Sequence, residues 1–224
     1  MRARLLLAIS AAVIGAVAAP ALADAPQDYV DFVGRTLFLQ GGYQGHSELL
    51  FQTDRRAIVI TGNRYLDLYE PSKGCDRLGR YRVRCIDPED SDIDLDSGDD
   101  VLDARDAPMR IAANTSSGDD RIHGSAFADN LDAYYGDDVI TGGRAADRLY
   151  GNEGADRLSG GPGNDYLDAG AGEDVLGGGP GRDRLYSDDG VADRRIDCGA
   201  GATDYARIDP ADPRPRRCEA VERL

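Results

Sequence analysis

The sequence has few of the residues that supply common catalytic and zinc chemistry. It contains two histidines, His46 and His123, which stand alone, and it has neither an HExxH nor a GxSxG motif. Its four cysteines lack the CxxC spacing that zinc sites favour. These absences exclude the common zinc-protease and serine-hydrolase motifs, and they leave no catalytic residue to assign.

Positive charge is also scarce. The chain has 26 Lys and Arg, of which only Lys73 is a lysine, against 41 Asp and Glu, so its formal net charge is −15. Nucleic-acid binding depends on Lys and Arg that neutralise phosphates, and we therefore expect no nucleic-acid partner. Cations are the natural ligands of so acidic a surface.

The long apolar run of the sequence lies at its N-terminus. Arg2 and Arg4 precede an apolar stretch over residues 5–17, and the small residues Ala21 and Ala23 follow it, which is typical of a signal peptide. The run is too short to cross a membrane, and no later segment is apolar enough. We predict that residues 1–23 are a signal peptide, that the mature chain is secreted to the extracellular space, and that it has no membrane span.

Aspartate recurs at every ninth position through the middle of the chain. A large aliphatic residue stands two positions after each of these aspartates, and eight matches at both positions rule out an effect of composition. The aspartates are Asp120, Asp129, Asp138, Asp147, Asp156, Asp165, Asp174 and Asp183. The aliphatic residues are Ile122, Leu131, Ile140, Leu149, Leu158, Leu167, Leu176 and Leu185.

Glycines precede the aspartates with the same period. Residues 160–168 read GGPGNDYLD, and residues 178–186 read GGPGRDRLY. Because glycine tolerates positive φ, such runs can turn tightly and direct carbonyl oxygens inward. Each following triplet can form a short strand with only its middle side chain inward. The glycines of these predicted turns are Gly142, Gly151, Gly154, Gly160, Gly161, Gly163, Gly170, Gly172, Gly178, Gly179 and Gly181.

This pattern resembles the RTX, or hemolysin-type, calcium-binding repeat GGxGxDxUx, in which U is a large aliphatic residue. The clear resemblance covers about residues 115–190. It implies an all-β, right-handed parallel β-roll with two repeats in each coil. It further implies several Ca2+ ions, each held between turns n and n+2 by the aspartates and by loop carbonyls, so that the aspartates and glycines named above form the metal sites.

The repeat also predicts that the coil needs its ions in order to fold. Each unit gains the burial of one aliphatic side chain, which does not offset the conformational entropy lost when nine residues become ordered. Aspartates eighteen residues apart also stack, and their charges repel. Calcium accepts six to eight oxygen ligands, whereas magnesium requires strict octahedral geometry. The turns before Asp120, Asp129 and Asp138 lack paired glycines, and there we expect weak or absent sites. Aspartates that merely cap turns would not need glycines at fixed offsets.

The segments on either side of the repeats are predicted to close the coil. We expect a β-roll over residues 91–190 and a C-terminal cap over residues 191–224. Residues 24–90 should form an N-terminal β cap, with strands in the runs 48–51, 57–61 and 64–69, while residues 24–40 form a short helix or stay loose.

At the start of the coil the aliphatic spacing is irregular. Ile93, Leu102 and Ile111 are nine residues apart, which predicts a coil that begins before residue 100, with Met109 in an aspartate position. The eleven-residue step from Ile111 to Ile122 predicts a two-residue bulge.

The four cysteines are an even set in a chain predicted to be exported, which indicates disulfide bonds in one of three connectivities. We favour Cys75–Cys85 and Cys198–Cys218, because each pair encloses a short loop outside the main repeat.

The outward positions of the strands suggest a possible partner. One face carries a ladder of Arg, Tyr and Asp that includes Tyr150, Tyr166 and Tyr186, and it could hold a cell-surface or extracellular glycan. The favoured alternative is a solvated strand surface whose ion pairs contribute little. The sequence as a whole predicts a secreted, non-enzymatic calcium-binding protein with a structural or adhesive role. A glycan-binding module or a polysaccharide-active solenoid enzyme is the alternative.

Overall fold

Two long sheets share one column of aliphatic side chains in the computed structural model of the chain. The structure describes residues 91–95, 97–201 and 203–224 in full, and residue 90 and seven earlier strands by their backbone pairing. The predicted signal peptide lies outside the described residues. The earlier strands are β1 Asp28–Val33, β2 Thr36–Gln40, β3 Glu48–Asp54, β4 Ala57–Gly62, β5 Leu66–Leu68, β6 Cys75–Gly79 and β7 Arg82–Ile86.

The remaining strands alternate between the two sheets as far as β20. They are β8 Asp90–Asp94, β9 Val101–Asp103, β10 Arg110–Asn114, β11 Arg121–His123, β12 Asn130–Tyr135, β13 Val139–Thr141, β14 Arg148–Glu153, β15 Arg157–Ser159, β16 Tyr166–Ala171, β17 Val175–Gly181, β18 Arg184–Ser187, β19 Arg195–Gly201, β20 Tyr205–Ile208 and β21 Ala220–Arg223. Even-numbered strands from β8 to β20 form sheet A, and odd-numbered strands from β9 to β19 form sheet B. The described residues contain no helix, and hence none that could cross a membrane.

The repeat forms a parallel solenoid because two nine-residue units make one coil. Strands that lie eighteen residues apart pair in parallel, so that Ile122 lies opposite Ile140 and Leu149 opposite Leu167. The middle residue of each triplet is 0–2 % exposed, whereas its two neighbours face outward. The predicted parallel β-solenoid is therefore confirmed, with its core reduced to a thin aliphatic column.

The predicted start of the coil before residue 100 is confirmed, since Ile93 and Leu102 are buried in paired strands, but the predicted register is wrong at β10. The inward residue of β10 that pairs with Ile93 is Ala113. Ile111 instead takes the aspartate position, since its N–H donates to Asp129 Oδ1 over 2.7 Å, and Met109 does not hold it. The two extra residues lie in the turn before β10. Because Met109, Ile111 and Ala113 are all buried, the apolar pattern alone did not identify the column residue.

The N-terminal strands extend both sheets over the first coil. β1 and β2 form an antiparallel hairpin, and β2 pairs in parallel with β8, so the expected helix or loose segment at residues 24–40 is wrong. In sheet B, β3 pairs in parallel with β9, and β4, β7 and β6 follow in antiparallel order. Cys75 lies opposite Cys85 in the β6–β7 hairpin. Their disulfide remains a prediction, since the described side chains begin after these residues.

The C-terminal segment covers the other end of the coil. β19 and β20 continue the two sheets, and β21 adds a last parallel strand beside β20. Next to β19, Arg216 forms a parallel bridge with Asp197. The predicted Cys198–Cys218 disulfide is confirmed, with an S–S distance of 2.02 Å, and it ties this last segment to the coil.

Candidate metal sites

Aspartate side chains join successive coils along both edges of the solenoid. The Oδ1 of each accepts the N–H of the corresponding residue one coil earlier, over 2.7–3.0 Å, and we call these two rows the first and second ladders. In the first ladder the acceptors are Asp120, Asp138, Asp156, Asp174, Asp193 and Asp212. In the second they are Asp129, Asp147, Asp165, Asp183 and Asp204. All eight aspartates predicted from the repeat lie in these ladders.

Each typical ladder aspartate has one oxygen that the protein does not use. The N–H of Asp156 donates to Asp174 Oδ1, its carbonyl accepts from Val175, and its Oδ1 accepts from Asp138. Its Oδ2 is buried and accepts no hydrogen bond from the described residues. The same is true of Oδ2 in Asp138, Asp147, Asp165, Asp174, Asp183, Asp193 and Asp204.

The first glycine of a repeat leaves space beside this oxygen because it has no side chain. A Cβ on Gly160 would lie 2.4 Å from Asp165 Oδ2 and 2.7 Å from the carbonyl oxygen of Gly178 in the next coil. Any side chain at this position would therefore displace the carboxylate. Corresponding distances from a Cβ to the Oδ2 five residues later are 2.4 Å at Gly142, 2.3 Å at Gly151 and 2.6 Å at Gly178.

The fourth position of the repeat brings neighbouring coils into backbone contact. A Cβ on Gly181 would lie 1.4 Å from the carbonyl oxygen of Gly163, and one on Gly163 would lie 1.6 Å from that of Ala145. Gly154 and Gly172 stand at the same position, while Gly161, Gly170 and Gly179 occupy the second position with positive φ. The predicted glycines thus all lie in the turns that carry the ladders.

The oxygens around these turns suit a hard cation. No three His, Cys, Asp or Glu side chains of the described residues come together as a metal cluster, so backbone carbonyls would have to supply many of the ligands. Calcium accepts such a mixture of carboxylate and carbonyl oxygens, whereas soft metals prefer nitrogen and sulfur. A buried carboxylate oxygen without a donor also needs a compensating charge. The residues present therefore fit calcium.

Burial raises the pKa of the ladder carboxyls far above the usual aspartate value. The pKa rises to about 8 for Asp147, to about 7 for Asp156 and Asp165, and to about 6 for Asp138 and Asp183. Desolvation is the main cause, and the N–H donated to each carboxylate partly offsets it. Near neutral pH the buried carboxyl of an ion-free turn is either protonated or carries an uncompensated charge. A divalent cation would displace the proton and neutralise the charge.

The turn before Asp129 differs from the others. The Ser125 N–H donates to Asp129 Oδ2 over 2.5 Å, and the Ser125 hydroxyl donates to Oδ1 over 2.9 Å. Both oxygens of this carboxylate are therefore satisfied within the protein. At Asp120 the first position of the turn is Thr115 rather than glycine, and the Thr115 hydroxyl donates to the carbonyl oxygen of Ala133 over 3.4 Å. Asp120 Oδ2 is buried without a hydrogen-bond donor among the described residues, and burial raises the pKa of this carboxyl to about 7.

The structure extends the ladders beyond the regular repeat. Asp174 donates its N–H to Asp193 Oδ1 across a step of nineteen residues, and Asp183 donates to Asp204 Oδ1 across twenty-one. Asp193 and Asp204 were not predicted as site residues, because the fixed spacing of nine fails after Asp183. Their signal is the residue pattern alone: Gly199 and Gly201 precede Asp204 and pack against the carbonyls of the preceding coil.

The Tyr-rich outward face is a packed ladder of rings. Ring centroids lie 5.7 Å apart between Tyr150 and Tyr166, 4.9 Å between Tyr166 and Tyr186, and 6.0 Å between Tyr186 and Tyr205. The guanidinium of Arg207 lies 4.9 Å from the Tyr186 centroid. Because the rings pack against one another, this geometry favours a structural role for the face. The glycan hypothesis for it remains a prediction.

Comparison with known proteins agrees with this geometry. The family model for the RTX calcium-binding nonapeptide repeat (4 copies) matches residues 114–149 and again residues 150–185. No match to the chain was found among curated proteins or solved structures. The two matched segments are contiguous and contain the turns of all eight predicted aspartates, which confirms the resemblance seen in the sequence.

Proposed function

Since residues 114–185 are RTX calcium-binding nonapeptide repeats, we propose that this chain is a secreted protein whose rigid solenoid forms only with calcium and serves a structural or adhesive role. Such repeats bind several Ca2+ ions. The observation that carries the proposal is the row of buried Oδ2 atoms without hydrogen-bond donors. A cation is the partner they lack, and its binding energy would then be folding energy.

The best-formed sites combine an unbonded Oδ2 with a glycine in the first position. Asp147, Asp156, Asp165 and Asp183 meet both conditions. Their carboxylates and the carbonyl oxygens of adjacent turns would hold the ions, which would neutralise the stacked charges and lock one coil to the next. Asp129 would contribute least, since Ser125 already satisfies it.

A role outside the cell agrees with the chemistry of the two ends. Disulfides persist in oxidising compartments, and Cys198–Cys218 ties down the last segment of the coil. The N-terminal signal pattern points to export. A non-enzymatic role rests on the small part of the chain outside the coil and on the absence of the common catalytic motifs from the sequence.

Circular dichroism of the mature chain, stripped with a chelator and titrated with calcium or magnesium, tests the proposal. Calcium should restore the β signal and raise the midpoint of thermal unfolding, while magnesium at the same concentration should do neither. Zinc serves as a control for nonspecific binding of divalent ions to an acidic chain. If chelated protein kept its full β signal and melted at the temperature of the calcium-loaded form, the proposal would be wrong.

A further inference from the structure

A groove of about 320 Å³ runs across the outer face of sheet B, opposite the tyrosine ladder. The groove is deepest at Gly177, which has no side chain. Ser159 and Asp197 occupy the equivalent position on the neighbouring strands. Arg157, Arg195 and Arg217 line it. Three guanidinium groups thus surround one groove in a protein whose net charge is −15.

The arginines of this face have a regular spacing along the solenoid. One outward row runs through Arg121, Val139, Arg157, Val175 and Arg195, each opposite the next in the parallel register. Alternate members are arginine, so successive guanidinium groups start two strand spacings, or about 9.6 Å, apart. Valines separate them, and a linear ligand lying along the axis would meet cationic and apolar positions in alternation.

The charges of the groove are only partly balanced. Asp197 accepts from Arg195 over 2.7 Å and from Arg217 over 2.8 Å, and both guanidinium side chains remain more than half exposed. Arg157 has no ion pair with any residue that the structure describes. The lining of the groove therefore contains three guanidinium groups and one carboxylate, and the groove keeps an excess of positive charge.

We propose that this groove binds an acidic polysaccharide whose carboxylates pair with Arg157 and its neighbours. A planar guanidinium matches a carboxylate in a two-point hydrogen bond. Thr141 and Ser159 add hydroxyls, and Val139 and Val175 add apolar surface for sugar rings. The proposal deepens the adhesive role given above and rests on it, because the groove exists only when the coil is folded.

Other anionic polymers fit this face less well. Single-stranded nucleic acid needs aromatic side chains for base stacking, and none lines the groove. An acidic peptide would seek a free strand edge for its backbone, whereas the strands that form this groove already pair on both sides.

The test measures binding of calcium-loaded protein to tetragalacturonate, a short uronate chosen because it does not gel with calcium. Arg157→Gln should weaken binding about tenfold, the effect of losing one charge-assisted contact. Arg148→Gln, on the opposite sheet, is the matched control and should leave it unchanged. Circular dichroism and the calcium midpoint of each variant establish that the coil is intact, so a failure of folding is distinguished from a failure of the groove.

The remaining probes decide the ligand class. Maltotetraose, a neutral oligomer of equal length, should not bind, and a sulfated oligosaccharide should bind more weakly than the uronate. Equal loss of uronate binding in the Arg157 and Arg148 variants would overturn the groove as the site. So would stronger binding of single-stranded DNA or of an acidic peptide, or no uronate binding by fully folded wild-type protein.

Discussion

The ladder aspartates separate two tasks between the oxygens of one carboxylate. In Asp165, Oδ1 accepts the Asp147 N–H and so connects two coils, while Oδ2 is buried without a donor. The first oxygen acts whether or not an ion is bound, because its donor is part of the backbone. The second oxygen, Oδ2, lowers the stability of the folded chain until a cation binds to it. An asparagine at this position would keep the first task and lose the second.

Asp165→Asn should therefore shift the two states of the protein in opposite directions. Without calcium at pH 8, it removes a buried charge whose pKa burial raises to about 7, so the free energy of unfolding should rise by on the order of 1 kcal/mol. With calcium, it removes a ligand, and the calcium midpoint should rise about tenfold. Urea unfolding in chelator and a calcium titration measure the two effects.

The control for this substitution is Asp103→Asn. Asp103 is partly exposed and pairs with Arg105 on the outer face, away from the ladders, so both measurements should stay close to wild type. A calcium midpoint that did not move in the Asp165 variant would remove this residue from the site. Loss of stability in both states would mean that the carboxylate has only a structural role.

At the scale of the strand and turn, the sequence predicted the strands that follow the nine-residue period, and its predictions were wrong where extra residues interrupt that period. The period of nine located the inward aliphatics from Ile122 to Leu185, because one buried position per triplet leaves no other choice. It misassigned the column residue of β10, because Met109, Ile111 and Ala113 are all buried and the pattern could not rank them. It also left Asp193 and Asp204 out of the site, since longer turns precede them while the hydrogen-bond ladder continues.

The C-terminal cap should depend on its disulfide. Replacing Cys198 and Cys218 together with alanine frees a loop whose ends are twenty residues apart, and the free energy of unfolding should fall by about 2–4 kcal/mol. The last coil should fray first, because Arg216 and Arg217 would no longer be held beside Asp197. Hydrogen exchange of the β19 amides in calcium-loaded protein, compared with those of β15, measures the local effect.

The double alanine variant is preferred to a reducing agent, which would also act on any Cys75–Cys85 bond. β15 provides the internal control, since it lies two coils away from the disulfide in sheet B. Uniform loss of protection in both strands would indicate that the disulfide stabilises the whole coil. Unchanged protection in β19 would contradict a capping role.

At the scale of the whole molecule, we expect charge to affect stability more than the core does. The column supplies one aliphatic side chain per strand, while carboxylates fill both edges and the net charge is −15. Composition could predict this imbalance, and the repeat could predict where the charges stack. Neither could predict that Oδ1 is hydrogen-bonded and Oδ2 is not, because that depends on the distance between successive turns.

The excess of buried carboxylates over apolar core predicts that the stabilities of the ion-free and the calcium-loaded protein depend on pH in opposite directions. Burial raises the pKa of Asp147 to about 8 and of Asp156 to about 7 in the folded chain, above the unfolded value of about 3.9. The folded ion-free chain thus binds more protons than the unfolded chain between about pH 4 and pH 8, so its stability should fall as pH rises through this window. Asp197, whose pKa Arg217 and Arg195 hold at about 2, stays ionised throughout and does not contribute.

With calcium the sign reverses, because protons and ions compete for the same carboxylates. Urea unfolding at pH 5, 6.5 and 8 should show chelated protein most stable at pH 5 and calcium-loaded protein most stable at pH 8. General repulsion of an acidic chain would also weaken the chelated form at high pH, but added salt screens surface charge much more than buried charge. The loss of stability of chelated protein with rising pH should therefore persist in high salt. A chelated protein that gained stability with rising pH would contradict ladders of buried carboxylates that bind ions.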